Sequence, residues 1–169
     1  PGAQLNFRLV LGGWMSGDEL PLERRLSVDG PGALPGYGFR APRATEDRGT
    51  CGGAIPGMPA QCDRIALGQV EYRGDLHFGL LDWWDEDARV RLRNSPVWVV
   101  FADAGRGWLV NETAADSSGY GRGEIPALST FRTDLGAGLD FGSFGVYVAK
   151  AMSDAGEPAR FFVRLRHRF

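Results

Sequence analysis

Side chains that could do chemistry are sparse in this chain of 169 residues, and their spacing argues against catalysis. The two histidines, His77 and His167, have no nucleophile at a useful spacing, and no Gly-x-Ser-x-Gly turn is present, so we expect no enzyme. Asp82, Asp85, Glu86 and Asp87 surround Trp83 and Trp84 but lack the spaced ligands and turning glycine of a calcium loop. A solvated connection with two interfacial tryptophans is the simpler reading. Cys51 and Cys62 bound a Gly- and Pro-rich segment with no companion histidine or further cysteine, which disfavours a metal site. They read as a disulfide in an oxidising compartment; in a cytosolic setting they would be two free thiols. No cofactor is implied. Asn111-Glu112-Thr113 matches a glycosylation acceptor, a signal too short to carry weight.

Two charged features are more informative. Asp103 lies near the end of the most apolar stretch, Pro96 to Gly105, with Val97, Val99, Phe101, Asp103 and Gly105 on one side and Trp98, Val100, Ala102 and Ala104 on the other. A carboxylate buried there requires a cation or hydrogen-bond donors, because burying it unpaired costs several kcal/mol. The final segment, Ala159 to Phe169, alternates Phe161, Val163, Leu165, His167 and Phe169 with Arg160, Phe162, Arg164, Arg166 and Arg168. One face is mostly apolar and the other mostly arginine, which suits a lipid-facing side and a wet, charged interior. Its eleven residues, at roughly 3.3 Å each and tilted about 40 to 45°, cover about 25 Å, the apolar height of an outer-membrane barrel.

The same period of two recurs along the chain. From Ala3 to Trp14, Leu5, Phe7, Leu9 and Leu11 oppose Gln4, Asn6 and Arg8; Val10 breaks the polar face, and Trp14 suits a membrane interface. Arg64 to Arg73 sets Ala66, Gly68, Val70 and Tyr72 against Ile65, Leu67, Gln69, Glu71 and Arg73, an imperfect alternation. Phe131 to Phe141 is two-faced, with Thr133, Leu135, Ala137 and Leu139 opposite Arg132, Asp134, Gly136, Gly138 and Asp140. Gly142-Ser143 then turns the chain into Phe144 to Met152. Residues 30 to 62 form a long low-order loop, unusual inside a compact soluble domain and routine on the outer side of a membrane barrel.

These readings imply an all-β, antiparallel transmembrane β-barrel occupying residues 1–169. No apolar run is long enough for a transmembrane helix, whereas membrane strands hide in average composition such as the 43% hydrophobic residues here. The formal charge of −2 disfavours a nucleic-acid partner. Six strands fall short of the roughly eight that a single-chain membrane barrel needs. The chain is therefore expected to be the carboxy-terminal part of a larger barrel, unless residues 20–27 and 76–92 supply further strands. An opening Pro1 suits a mature product or a fragment.

From about Ala3 to Phe169 the sequence resembles the bacterial surface antigen family, the BamA/TamA-type outer-membrane assembly and translocation proteins. Phe101-Ala-Asp103-Ala-Gly105 is similar to that family's Phe-x-Asp-x-Gly strand motif. Asp134 to Met152 is similar to its paired strands around a short Gly turn, and Arg160 to Phe169 to its closing strand and insertion signal, carried here by Phe161, Val163, Leu165 and Phe169. Gly30-Pro-Gly-Ala-Leu34-Pro35-Gly36-Tyr37 resembles, in part, the long inward-folded loop whose tip carries an arginine. Pro35 stands where that arginine belongs. The resemblance implies a loop, Leu34, Gly36, Tyr37 and Arg40, docked near Asp103; Arg40 or Arg43 replaces the missing cation, or Tyr37 and backbone suffice.

What the resemblance implies for function is insertion or translocation of outer-membrane proteins from the bacterial outer membrane. Its partners would be outer-membrane lipid, client outer-membrane proteins, and barrel strands or periplasmic domains outside this sequence. The alternatives are a passive pore whose arginine face selects anions, and a soluble β-barrel that turns its apolar face inward around an apolar ligand.

Overall fold

The computed structural model describes residues 3–13, 24–38, 51, 61–75, 97–110, 120 and 124–165. The alternating stretches form six strands: β1 (Gln4–Gly13), β2 (Arg64–Asp75), β3 (Val97–Trp108), β4 (Arg132–Asp140), β5 (Gly145–Ala151) and β6 (Arg160–Arg164). They make one antiparallel sheet in sequence order, so the architecture is all-β. Among the described residues the sheet is open, with β1 and β6 as its edges. Trp14, both histidines, the acidic cluster at 82–87, Arg40, Arg43, Phe169 and the stretches 20–23 and 76–92 lie outside the described residues.

Strand register sets side chains from every strand into rows across one face. The first row is Arg8, Gln69, Asp103, Asp134 and Ala151; the second is Asn6, Glu71, Phe101, Gly136, Ala149 and Arg160. The third is Gln4, Arg73, Val99, Gly138, Tyr147 and Phe162. Gln69, Glu71, Asp103 and Asp134 are buried on this face. The opposite face carries Leu5, Phe7, Leu9, Leu11, Val100, Leu135, Val148, Phe161 and Val163, all exposed, with Phe7 and Leu9 at 73% and 74%. A half-buried soluble sheet turns its apolar side to the core; this one turns it out.

The covered face holds two apolar clusters. One joins Val28, Ala33, Leu34 and Tyr37, from the chain between β1 and β2, to Cys51, Cys62, Ile65, Leu67 and Ala151. The other, toward the opposite end of the strands, joins Val99, Phe101, Tyr147 and Ala149, with Phe162 against it. Strands β1, β3 and β5 end at the first end, where β2, β4 and β6 begin, and the short turn 141–144 lies at the second. At the short turn Gly142 takes φ +84°, a conformation open to glycine, and its N–H donates to Asp140 Oδ1 at 2.8 Å. Phe141 stacks on Phe144 across that turn, with ring centroids 4.9 Å apart.

Candidate functional site

The chain from 24 to 38 builds its own compact tip before it meets the sheet. Leu34 N–H donates to Val28 O at 3.1 Å, Gly30 N–H to Leu34 O at 3.1 Å and Tyr37 N–H to Leu34 O at 3.1 Å. These bonds satisfy the backbone of a segment that would otherwise be buried with unmet polar groups. Val28 and Leu34 are then free to enter the cluster with no exposure, and Tyr37 follows them.

Backbone groups of the tip are read by side chains of the sheet. Gly36 N–H donates to Asp134 Oδ2 at 2.7 Å, and Gln69 Nε2 donates to Ala33 O at 2.9 Å, both buried. The Tyr37 hydroxyl donates to Thr133 O at 3.2 Å, and the Arg132 guanidinium lies 4.9 Å from the centre of its ring. Arg132 also reaches Asp29 Oδ1 at 3.6 Å, so one cation holds two parts of the loop. A Cβ at Gly36 would meet Ala151 N and the Asp134 Cβ, each at 2.7 Å, so the tip seats only because that position is glycine. Burial raises the Tyr37 phenol above its ordinary value of 10.0, against the opposing pull of Ser153 and Arg132.

The strand-motif residues all face this loop or the aromatic cluster beyond it. Asp103 sits in register between Gln69 and Asp134, so the loop's described polar contacts fall on either side of it. Gly105 makes room for the loop, since a Cβ there would lie 2.9 Å from Val28 Cγ2 and from Leu67 Cδ1. Phe101 lies over Gly136, where a Cβ would meet its Cζ at 2.1 Å, and Tyr147 covers Gly138 in the same manner. Aromatic rings laid over strand glycines fill space that the glycines leave and cover their backbone. Tyr147 stacks on Phe162 at 5.3 Å, and its hydroxyl donates to Asp140 Oδ2 at 3.4 Å. Arg73 pairs with Glu71 at 2.7 Å and with Asp140, completing a polar belt beside the rings.

Cys51 and Cys62 form a disulfide, with Cα atoms 5.1 Å apart, in the bed under the loop. On β6, Phe161 and Val163 point outward at 72% and 53% exposure, and Leu165, just beyond it, is 80% exposed. An open cleft of about 420 Å³ lies between the loop tip and the start of β6, bordered by Pro31, Pro35, Tyr37, Pro158 and Phe162. Among the described residues no three His, Cys, Asp or Glu side chains converge as metal ligands would.

Asp134 was visible in the sequence as an inward residue, but nothing marked it as the acceptor of the loop's N–H. Gln69, Arg132 and Thr133 were likewise unmarked. The signal that could have located the seat is the apolar intrusion of Val10, Ile65 and Leu67 into an otherwise polar face, since all three pack in the loop's cluster. Comparison of the chain with protein-family models, with curated proteins and with solved structures found no match.

Proposed function

We propose that the chain is the carboxy-terminal part of an outer-membrane β-barrel that takes part in inserting or translocating outer-membrane proteins. The observation that carries this reading is the inverted sheet: an exposed apolar face and a polar face with a loop seated on it. Lipid is the solvent that suits the first, and a barrel lumen suits the second. Open edges are unsustainable in hydrocarbon, so β1 and β6 would pair with further strands of the barrel. Among the described residues β6 spans Arg160–Arg164. A seam strand that pairs weakly lets the seam open toward client strands. The assembly role rests on the resemblance of the strand motif, the inward loop and the closing strand to the surface antigen family.

A seated loop on the polar face favours this reading over an open pore. Outward-facing Leu5, Phe7, Leu9 and Leu11 disfavour a soluble barrel built around an apolar ligand. The test is refolding of the purified chain into micelles, read by heat-modifiable migration, followed by its addition to vesicles with an unfolded outer-membrane protein. We expect a detergent requirement and faster client insertion. Solubility without detergent would overturn the membrane assignment; integration with anion conductance and no effect on the client would replace assembly by a pore.

A further inference from the structure

The disulfide lies where the loop must sit. Cys62 pairs with Leu26, exchanging two backbone hydrogen bonds of 2.8 and 2.7 Å, so the bridge and the base of the loop share one piece of backbone. Its sulfurs rest on Gly107 of β3, where a Cβ would meet Cys62 Sγ at 2.1 Å and Cys51 Sγ at 2.8 Å. Cys62 has no exposure and Cys51 has 7%, in one cluster with Val28, Leu34 and Tyr37. Cys51 is also the one described non-glycine residue with positive φ, at 54°, a conformation that an L side chain keeps only under constraint.

We propose that loop and disulfide form a redox-sensitive latch, in which the seated loop shields the bridge from thiols and the bridge holds the loop in its seat. Thiol–disulfide exchange requires in-line attack of a thiolate on a sulfur, so a bridge buried in the loop's cluster reacts only from an opened state. Opening means withdrawal of Leu34 and Tyr37 and loss of the Gly36 to Asp134 bond. A dithiol then reduces the bridge: one thiolate attacks a cysteine sulfur and expels the other cysteine as thiolate. The reagent's second thiolate then attacks the reagent's own sulfur in the mixed disulfide, releasing the first cysteine and closing the reagent to a cyclic disulfide. Two electrons and two protons end on Cys51 and Cys62 as thiols. Reduction lengthens the tether of the loop and frees Cys51 from its left-handed backbone, so the loop reseats less firmly. Linkage makes the effect reciprocal. The inference goes beyond the proposed function, because it depends on the seat of the loop and not on what the barrel does.

The experiment measures the rate at which dithiothreitol reduces the bridge in the refolded full chain, in micelles or in buffer, by trapping the released thiols. We expect reduction on the order of 100-fold slower than in urea-unfolded chain, as buried bridges react through opening. Gly36→Val, which cannot seat, should speed it at least about tenfold, and Leu34→Ala, which keeps the backbone unaltered, by a smaller factor. Phe144→Ala, at the far turn, should leave the rate unchanged. In the reverse direction, Cys51→Ser/Cys62→Ser should raise protease cleavage within residues 24–38. Reduction of the folded chain as fast as the unfolded one, or rates for Gly36→Val and Leu34→Ala equal to the parent while protease shows their loops released, would overturn the latch. So would unchanged protection of 24–38 in the double serine variant.

Discussion

The covered face of this sheet is filled in two ways. At one end the sheet offers Gly105, Gly107 and Ala151 as floor and imports Val28, Leu34 and Tyr37 from a distant loop. At the other it fills itself, with Phe101 and Tyr147 lying over Gly136 and Gly138 of the neighbouring strand. The first arrangement can open without breaking a strand pair; the second cannot change unless the register changes. A loop on a rigid sheet is thus confined to one end, where movement is compatible with the fold.

Substitution at the aromatic end should do the most damage. Gly136→Val places atoms 2.1 and 2.5 Å from the Phe101 ring and 2.6 Å from Val148 O, so we expect a loss on the order of 3 kcal/mol. A lowered denaturation midpoint of the whole refolded chain is the readout; an unchanged midpoint would erase the distinction between the two ends. Leu34→Ala at the loop end should cost about 3 kcal/mol as well, but locally. Limited proteolysis should then cut within 24–38 while the sheet keeps its midpoint, and a shift of both together would make the molecule one cooperative unit.

The polar anchors come next. Asp134→Ala removes the buried acceptor of the Gly36 N–H and should weaken seating by about 2 kcal/mol, measured by the same cleavage. Asp103→Asn, one strand away in the same row, should cost about 1 kcal/mol or less, because it keeps a polar group of the same shape. Equal effects would make Asp103 as strong an anchor as Asp134. Tyr37→Phe is a change of similar size, about 1 kcal/mol for the bond to Thr133 O. It also carries a pH signature. The seated phenol has a raised pKa, so its stabilisation is complete below pH 10.0 and is lost as pH climbs past that value through the seated one. Loop protection should therefore fall at alkaline pH in the parent and less in Tyr37→Phe, with tyrosinate absorption tracking the transition.

Much of the sheet was legible because the period of two specifies strand and face together. Leu5 to Leu11 and Thr133 to Leu139 turn outward as their spacing required, and Gly142-Ser143 makes the turn that glycine there suggested. Strand lengths were less secure: β3 runs on to Trp108, since Arg106 keeps the outward alternation and bonds Tyr120 and Thr130 O. The loop's seat was legible only as docking near Asp103, with Tyr37 and backbone as one alternative; its partners Gln69, Thr133 and Asp134 were not. The groups that seat the tip are Gly36 N–H and Ala33 C=O, backbone that every sequence carries and none advertises. The imperfect alternation of β2 held the missing information. Ile65 and Leu67 are apolar on a polar face because a loop covers them.

The meander order of the strands also has a kinetic meaning. β4 and β5 are joined by residues 141–144 and β5 and β6 by 152–159, whereas β1 reaches β2 only across 14–63. Closing a short loop sacrifices less chain entropy and happens sooner than closing a long one. The carboxy-terminal hairpins should therefore zip first and offer the free side of β4 as a template for β3, with β1 and the loop arriving last. A chain caught midway would hold its aromatic filling in place while the loop end still stood empty.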